Sequence, residues 1–207
     1  MSNSLFSLAF GVGTQNRQGN WLEVFYAQPL LNPPGEMVAA IAPLLSYEGG
    51  NQAITISTTQ AAQLADTIKP LDTAQHALLT RLAESQRPLV VTLLAEDAPL
   101  TSTPEAYLKL HLLSHRLVKP HGLNLTGIFP LLPNVAWTNQ GAVDLAELAE
   151  RQLEARLKGY LLEVFSVDKF PKMTDYVVPA GVRIADSARI RLGAYVGEGT
   201  TDRKSVV

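Results

Sequence analysis

The sequence predicts an α+β fold: a mixed α/β N-terminal domain over residues 1–165, followed by residues 166–201 as a linker and the first coil of a left-handed parallel β-helix. Three observations predict it. Alternating strand patterns and amphipathic helix patterns are interspersed up to about residue 165. These units are irregular, which argues against a parallel doubly wound sheet. From Val178 the hydrophobic period changes to six, the hexapeptide-repeat period.

The N-terminal part predicts a hairpin followed by short elements. Residues 5–10 form a mostly apolar strand and residues 21–26 alternate between two faces, with a Gly-, Asn- and Gln-rich loop over 11–20. After a segment rich in proline, a short helix is predicted over 37–45 and a short strand over 53–56.

Two helices and a buried strand are predicted next. Thr58 or Thr59 is the predicted cap of a helix that runs to about Ile68, and Thr73 caps a second helix over 74–85. The sequence LVVTLL within 88–94 is a continuous apolar run, which is typical of a strand buried on both faces.

The second half contains two well-marked helices. Residues 103–105, Thr-Pro-Glu, predict a helix start, and Lys-Pro at 119–120 predicts its end. After a loop, residues 135–138 are a candidate strand. A helix over 144–158 has Gly159 at the position of a C-terminal cap. Its apolar stripe is Leu145, Ala149, Leu153 and Leu157, and its i,i+4 ion pairs are Glu147–Arg151 and Glu154–Lys158.

Composition excludes several functional classes. Hydrophobic residues make up 46% of the 207 residues, which argues against a disordered chain, and the net charge of −2 argues against a basic nucleic-acid binder. The absence of cysteine excludes disulfide scaffolds, thiolate zinc sites and cysteine nucleophiles. No apolar run approaches the length of about 20 residues needed to span a bilayer, so we expect a soluble cytoplasmic protein without membrane partners.

The C-terminal part carries two interleaved series of period six. The first is aliphatic and the second, four residues later, is mostly small, as expected for residues that point into a triangular prism and toward its corners. Glycines in the same segment favour tight corners. About one coil is present. The aliphatic series is Val178, Ile184, Ile190 and Val196; the small series is Val182, Ala188, Ala194 and Thr200; the glycines are Gly181, Gly193, Gly197 and Gly199.

Several motifs lack the residues that a known site would need. The Gly-Val-Gly sequence at 11–13 lacks the rest of a dinucleotide fingerprint, so we expect turn glycines. His111 and His115 lie four apart on a predicted helix but have no evident third metal ligand, so we expect structural histidines on the surface or half-buried. His76 and His121 are isolated. The arginines Arg183, Arg189 and Arg191 are expected to face solvent, with an anionic substrate or another subunit as the alternative.

Two stretches resemble a known family. FPKMTDYVVPAGVRIADSARIRLGAYVGEGTT over 170–201 and SLAFGVGTQNRQGNWLEVFY at the start are similar to tetrahydrodipicolinate N-succinyltransferases of the longer, pseudomonad and actinobacterial kind. The resemblance implies transfer of succinyl from succinyl-CoA to the amino group of acyclic tetrahydrodipicolinate, on the diaminopimelate route to lysine. It also implies a homotrimer, with small-molecule substrates bound between neighbouring β-helices.

The resemblance also indicates where catalysis would occur. In this branch a glutamate acts within a Met-His-Glu-Gly phrase, which would follow shortly after Thr201. Because this phrase does not occur in the sequence, we assign no catalytic and no CoA-binding residue, and we expect the 207 residues alone to be inactive. Some members hold a divalent cation such as Mg²⁺ on the trimer axis. The nearby acids Asp175, Asp186 and Glu198 match no ligand of the family, and we expect them to be solvated.

The last six residues, Asp202–Val207, predict a tail of foreign origin. The sequencing-adapter read GATCGGAAGAGCGTCGTG translates as Asp-Arg-Lys-Ser-Val-Val, and the next adapter codon is a stop. We therefore expect an adapter-derived tail on a C-terminally truncated chain.

Two alternatives remain open. One is another hexapeptide-repeat acyltransferase, directed to acetyl groups or sugars. The other is a non-enzymatic interaction module. Only the family phrase in residues 170–201 favours the succinyltransferase over them.

Overall fold

A five-stranded antiparallel sheet forms the centre of the protein. The structure is a computed structural model that describes residues 5–202. The strands are β1 (Ser7–Gln15), β2 (Trp21–Phe25), β3 (Leu30–Leu31), β4 (Gln52–Ile56) and β5 (Leu89–Leu94). In the sheet the order is β2-β1-β5-β4, with β3 paired to β1, and each pairing is antiparallel. The sequence expectation of a mixed α/β fold is confirmed.

The N-terminal hairpin forms, but its loop is shorter than predicted. β1 continues to Gln15, so Gly11 and Gly13 lie within a strand and the expectation of turn glycines is wrong. A Cβ at Gly11 would lie 2.5 Å from the Tyr26 ring, and one at Gly13 would lie 2.2 Å from the Glu23 carbonyl oxygen. Glycine is required here because β2 and its side chains approach the β1 backbone too closely for a methyl group.

Three helices cover one face of this sheet: α1 (Gly35–Leu45), α2 (Thr58–Ile68) and α3 (Thr73–Leu82). Ser57, not Thr58 or Thr59, caps α2, and its hydroxyl and the Gln60 side chain form a reciprocal capping box. Asp72, not Thr73, caps α3. The predicted helices are confirmed with these one- or two-residue shifts at their starts.

β5 is the buried centre of the sheet, as the LVVTLL run predicted. Each of its six residues is buried. On one face its side chains pack with α1, α2 and α3, and on the other with α4 (Thr103–Ser114). Ser102 rather than Thr103 caps α4. The helix ends at Ser114, earlier than the end predicted at Lys119 and Pro120. Two residues after Ser114, Arg116 adopts a left-handed φ of 62°.

A second, smaller sheet follows in the order β7-β6-β8. The candidate strand β6 (Val135–Thr138) is confirmed, whereas β7 (Gly141–Asp144), β8 (Val164–Asp168) and the short helix α5 (Ile128–Leu131) carry no signal in the sequence prediction. β8 contains residue 165, the position of the predicted domain boundary. The division into two domains stays a prediction.

The helix after β7, α6 (Leu145–Leu157), lies largely on the surface. Asp144 caps its start. Gly159 follows its end with a φ of 83°, as the sequence indicated. The Glu147–Arg151 pair forms at 3.3 Å, whereas Glu154 and Lys158 form no ion pair with residues 5–202. Its four-residue stripe faces solvent rather than a core. Leu145, Leu153 and Leu157 are 39%, 59% and 79% exposed, and Ala149 is also exposed.

The chain ends in a segment of turns and two-residue strands. β9 (Arg183–Ile184) pairs in parallel with β10 (Thr201–Asp202), and two single-turn 3₁₀ helices precede them or lie between them. Of the predicted foreign tail, Asp202 belongs to β10, and the remaining residues 203–207 lie outside the described residues. Within residues 5–202, no helix is long and apolar enough to cross a bilayer.

Candidate functional site

The C-terminal end of α4 holds the hexapeptide segment in place. The Ser114 hydroxyl donates to the Ala194 carbonyl at 3.1 Å and accepts from the Gly193 amide at 2.9 Å. The Arg116 guanidinium donates to the carbonyls of Val196 at 2.7 Å and Ala180 at 3.0 Å. Apolar side chains of the segment also pack in the same core as side chains of the five-stranded sheet.

Burial follows the period-six series from its second member onward. Ile184 and Ile190 are half-buried and pack against this core, and Val196 is 8% exposed. Val178 is 69% exposed, so its predicted inward position is wrong, and the adjacent Val177 is buried instead.

The small series behaves similarly. Val182 and Ala194 are half-buried against the core, whereas Ala188 and Thr200 are exposed.

Three glycines of the segment adopt the conformation predicted for corners. Gly181 has a φ of 72°, Gly193 a φ of 97° and Gly199 a φ of 80°, in the left-handed region that favours glycine. A Cβ at Gly193 would lie 2.5 Å from the Leu110 side chain of α4. Gly197 does not adopt a positive φ, so its predicted conformational role is wrong.

The three arginines separate into two kinds. Arg183 and Arg189 are exposed, as expected. Arg191 instead pairs with Asp168 of β8, with both its Nε and a terminal nitrogen 3.0 Å from the same carboxylate oxygen. This pair joins the hexapeptide segment to the second sheet.

The acids of this region do not assemble into a metal site. Asp175 and Glu198 are exposed, and Asp186 accepts a hydrogen bond from the Ala188 amide at 3.1 Å. Among residues 5–202, no three His, Asp or Glu side chains come together in a group that could hold a metal ion. No chemical step is derived through a cation.

His111 and His115 stack on α4 with ring centroids 6.1 Å apart. His111 is fully buried, deeper than the sequence predicted, and His115 is half-buried. The His111 Nδ1 lies 2.7 Å from the Tyr107 carbonyl and its Nε2 accepts from the Tyr26 amide at 3.3 Å. Because both nitrogens are occupied, the ring is a neutral structural group, and burial lowers its pKa to about 3. This pair is not a metal site.

Sequence reasoning missed a cleft between the two sheets. Its volume is about 570 Å³. At its base, the Glu23 carboxylate accepts from the Thr14 hydroxyl at 2.7 Å and from the Tyr176 hydroxyl at 3.0 Å. Burial raises the pKa of Glu23, although these two hydrogen bonds oppose the rise. Glu23 and Tyr176 are 153 residues apart, and no local pattern indicates that they meet.

Two family models match the chain. One, described as tetrahydrodipicolinate N-succinyltransferase N-terminal, matches residues 53–130, and one described as tetrahydrodipicolinate N-succinyltransferase middle matches residues 132–172. A Pseudomonas putida protein named 2,3,4,5-tetrahydropyridine-2,6-dicarboxylate N-succinyltransferase is 83% identical over 201 residues, 97% of this chain. The chain belongs to the tetrahydrodipicolinate N-succinyltransferase family.

A more distant relative and one solved structure also match. A Vibrio cholerae protein of the same name is 55% identical over 95% of this chain and 57% of its own. A solved Campylobacter jejuni structure, described as a candidate 2,3,4,5-tetrahydropyridine-2-carboxylate N-succinyltransferase, superposes with a TM-score of 0.84 over 95% of this chain and 56% of that one. At 22% identity, this second match supports the fold alone.

The chain spans 58% of the length of the Pseudomonas putida relative. The residues that match the family models run from β4 to just beyond β8, so the matched ranges include neither residues 1–52 nor the hexapeptide segment.

Proposed function

We propose that this protein is a CoA-dependent N-succinyltransferase of the diaminopimelate route to lysine. It would transfer succinyl from succinyl-CoA to the amino group of acyclic tetrahydrodipicolinate, giving N-succinyl-2-amino-6-oxopimelate and CoA. The 83% identity over 201 residues to the named Pseudomonas putida enzyme carries this proposal.

The reaction is an acyl transfer from a thioester to an amine. The neutral amine nitrogen attacks the thioester carbonyl, a C–N bond forms, and the C–S bond breaks as CoA leaves. A base takes the proton of the attacking amine, and the leaving thiolate takes up a proton. Hydrogen-bond donors must stabilise the tetrahedral oxyanion. We assign none of these roles to the 207 residues, because the Met-His-Glu-Gly phrase does not occur among them.

We also infer that the hexapeptide segment is the first coil of a left-handed β-helix. The pairing of β9 with β10 supports this, because Thr201 lies opposite Arg183 and Asp202 opposite Ile184, eighteen residues or three hexapeptides apart. The Gly199 amide donates to the Gly181 carbonyl at 2.8 Å with the same offset. One coil of three six-residue faces returns the chain to its start after this number of residues.

The assembly and the location belong to the same proposal. We propose a cytoplasmic homotrimer with small-molecule substrates, active sites between neighbouring β-helices, and a divalent cation such as Mg²⁺ held on the trimer axis. We further propose that the 207-residue chain alone does not catalyse transfer.

A chimera tests the proposed activity. Residues 1–201 would be joined to the remaining part of the Pseudomonas putida relative, after the position that matches Thr201, and CoA thiol release would be followed with succinyl-CoA and tetrahydrodipicolinate. We expect release by the chimera and none by the 207-residue chain. A chimera that assembles to the size of the relative but releases no CoA would contradict the proposal.

The same assay separates the alternatives. Faster release from acetyl-CoA than from succinyl-CoA would favour another hexapeptide-repeat acyltransferase. CoA release by the 207-residue chain alone would show that its own residues supply the catalytic groups.

A further inference from the structure

The cleft between the two sheets lies outside the hexapeptide segment. Its lining residues come from β2, from the β6–β7 hairpin, from β8 and from residues 172–176, and none comes from 178–202. A volume of about 570 Å³ is within the range of small-molecule sites. None of its residues has a role assigned in the proposed succinyl transfer.

Aromatic rings form much of its wall. Phe25, Trp137, Phe165 and Tyr176 line it, and the rings of Phe25 and Tyr176 lie 6.2 Å apart. Aromatic faces attract cations through their quadrupole, most strongly where water is excluded. The Phe165 ring already contacts one cation, because the Lys172 ammonium lies 5.6 Å from its centroid.

A carboxylate without a direct ion pair lies among these rings. Glu23 is half-buried, its two oxygens accept from the hydroxyls of Thr14 and Tyr176, and the charge of the more distant Arg87 opposes the rise in its pKa that burial causes. Arg87 donates to the Thr14 hydroxyl at 3.1 Å, one side chain further away, and Glu23 forms no ion pair with residues 5–202. An ionised carboxylate can accept about four hydrogen bonds, so this one has unused capacity toward the cleft.

We propose that this cleft binds a small aliphatic molecule with a primary ammonium group, which pairs with the Glu23 carboxylate and packs its alkyl chain against the aromatic walls. The ammonium would form the direct ion pair that Glu23 lacks among residues 5–202. A charge-assisted hydrogen bond in a partly desolvated site is stronger than one on the open surface.

Lys172 can distinguish two kinds of ligand that carry this ammonium group, an amino acid and a simple amine. Its Nζ forms no ion pair with residues 5–202, so it is free to pair with a ligand carboxylate. An amino acid would use both Glu23 and Lys172, whereas a simple amine would use Glu23 alone.

Calorimetric titration of the 207-residue chain with three probes tests the proposal. The probes are n-pentylamine, 5-aminopentanoate and pentanoate, which share one chain length. We expect the two ammonium-bearing probes to bind with a stoichiometry of one and pentanoate not to bind. Stronger binding of 5-aminopentanoate that Lys172→Met abolishes would identify an amino acid; equal binding of the two would identify a simple amine.

Variants locate the binding in the cleft. Glu23→Gln keeps the shape but removes the charge, and we expect it to weaken amine binding at least about tenfold. Glu48→Gln, the same change at an exposed carboxylate, is expected to have no effect. If Glu23→Gln does not fold, Phe165→Leu provides the second variant, since Phe165 is 56% exposed and contributes little to folding.

Three results would overturn the proposal: failure of both amines to bind, equal binding of pentanoate and pentylamine, or unchanged amine affinity in Phe165→Leu and a folded Glu23→Gln. The readout is binding rather than transfer, so it is independent of the succinyltransferase assay.

Discussion

Lys109 is the most deeply buried charge among the described residues, and its surroundings explain how it is tolerated. Its side chain is fully buried in α4. The Nζ donates to the Asp97 carboxylate at 2.5 Å and to the carbonyls of Ala98 and Asn124 at 2.7 Å each. All three ammonium protons therefore have an acceptor, which offsets the cost of desolvation.

Lys109→Met removes this charge and leaves Asp97 and two carbonyls without their donor. We expect the free energy of unfolding to fall by about 3–5 kcal/mol, the typical effect of breaking a buried ion pair from one side. Urea denaturation measures this. Lys158→Met, at an exposed position, should change it by less than about 0.5 kcal/mol; equal effects of the two changes would contradict the assignment.

His111 makes stability depend on pH. Burial lowers its pKa to about 3 in the folded protein, against about 6.5 in an unfolded chain. The unfolded state therefore binds a proton that the folded state does not. The stabilising effect is complete above pH 6.5 and is lost progressively as the pH falls toward 3, at up to about 1.4 kcal/mol per pH unit.

His111→Gln is therefore expected to flatten the pH dependence of unfolding between pH 6.5 and pH 3. The measurement is thermal or urea denaturation across this range. His121→Asn serves as the control, because His121 is exposed and asparagine tolerates its left-handed φ of 62°. A parallel pH profile for wild type and His111→Gln would show that His111 does not titrate in this way.

At the scale of single elements, β1 shows how closely two strands approach. The absence of side chains at Gly11 and Gly13 allows Tyr26 and the Glu23 backbone to pack directly on the strand. This contact places Glu23 and Tyr26 where they meet Tyr176 and His111, respectively.

Gly13→Ala is expected to separate β1 from β2 and to lower the free energy of unfolding by about 1–3 kcal/mol, as overpacking does. The Glu23 carbonyl oxygen lies 2.2 Å and the Val24 Cα 3.0 Å from the new methyl position, and backbone atoms cannot rotate away as a side chain can. Gly197→Ala is the matched control, because its nearest neighbour is 3.8 Å away. Equal midpoints for Gly13→Ala and wild type in urea would contradict this account.

In the molecule as a whole, the C-terminal segment depends on the domain before it. Within residues 178–202 the segment has two strands of two residues each, too few to form an independent sheet. Its apolar side chains Leu192 and Val196 join the same core as Val90 of β5. Arg116 fixes the segment to the end of α4 through two carbonyls.

Arg116→Asn removes this anchor while keeping a residue that tolerates the left-handed φ. We expect amides of the segment that bond across the coil, such as those of Arg183 and Gly199, to exchange with deuterium at least about tenfold faster. The amides of β5 should be unchanged. Arg189→Asn, an exposed position, is the control, and equal protection of the segment in both variants would contradict the anchoring role.

The sequence by itself determined most of the elements and the family. Some structural signals depend on a few neighbouring residues only. The LVVTLL run predicted β5, the proline at the start of α4 predicted that helix, and Gly159 predicted the end of α6. The period of six likewise agrees with the pairing of β9 and β10, whose partners lie eighteen residues, or three periods, apart.

Only the tertiary structure decided which faces are buried and which residues meet. The leucine repeat of α6 predicted a helix, but its side chains face solvent, because periodicity fixes a stripe and not its partner. The glycines of β1 predicted a turn from the sequence, because the close approach of β2 that requires them in a strand is not a local property. No local pattern predicts the cleft between the two sheets, because it forms only when residues far apart in the sequence, such as Glu23 and Tyr176, pack together.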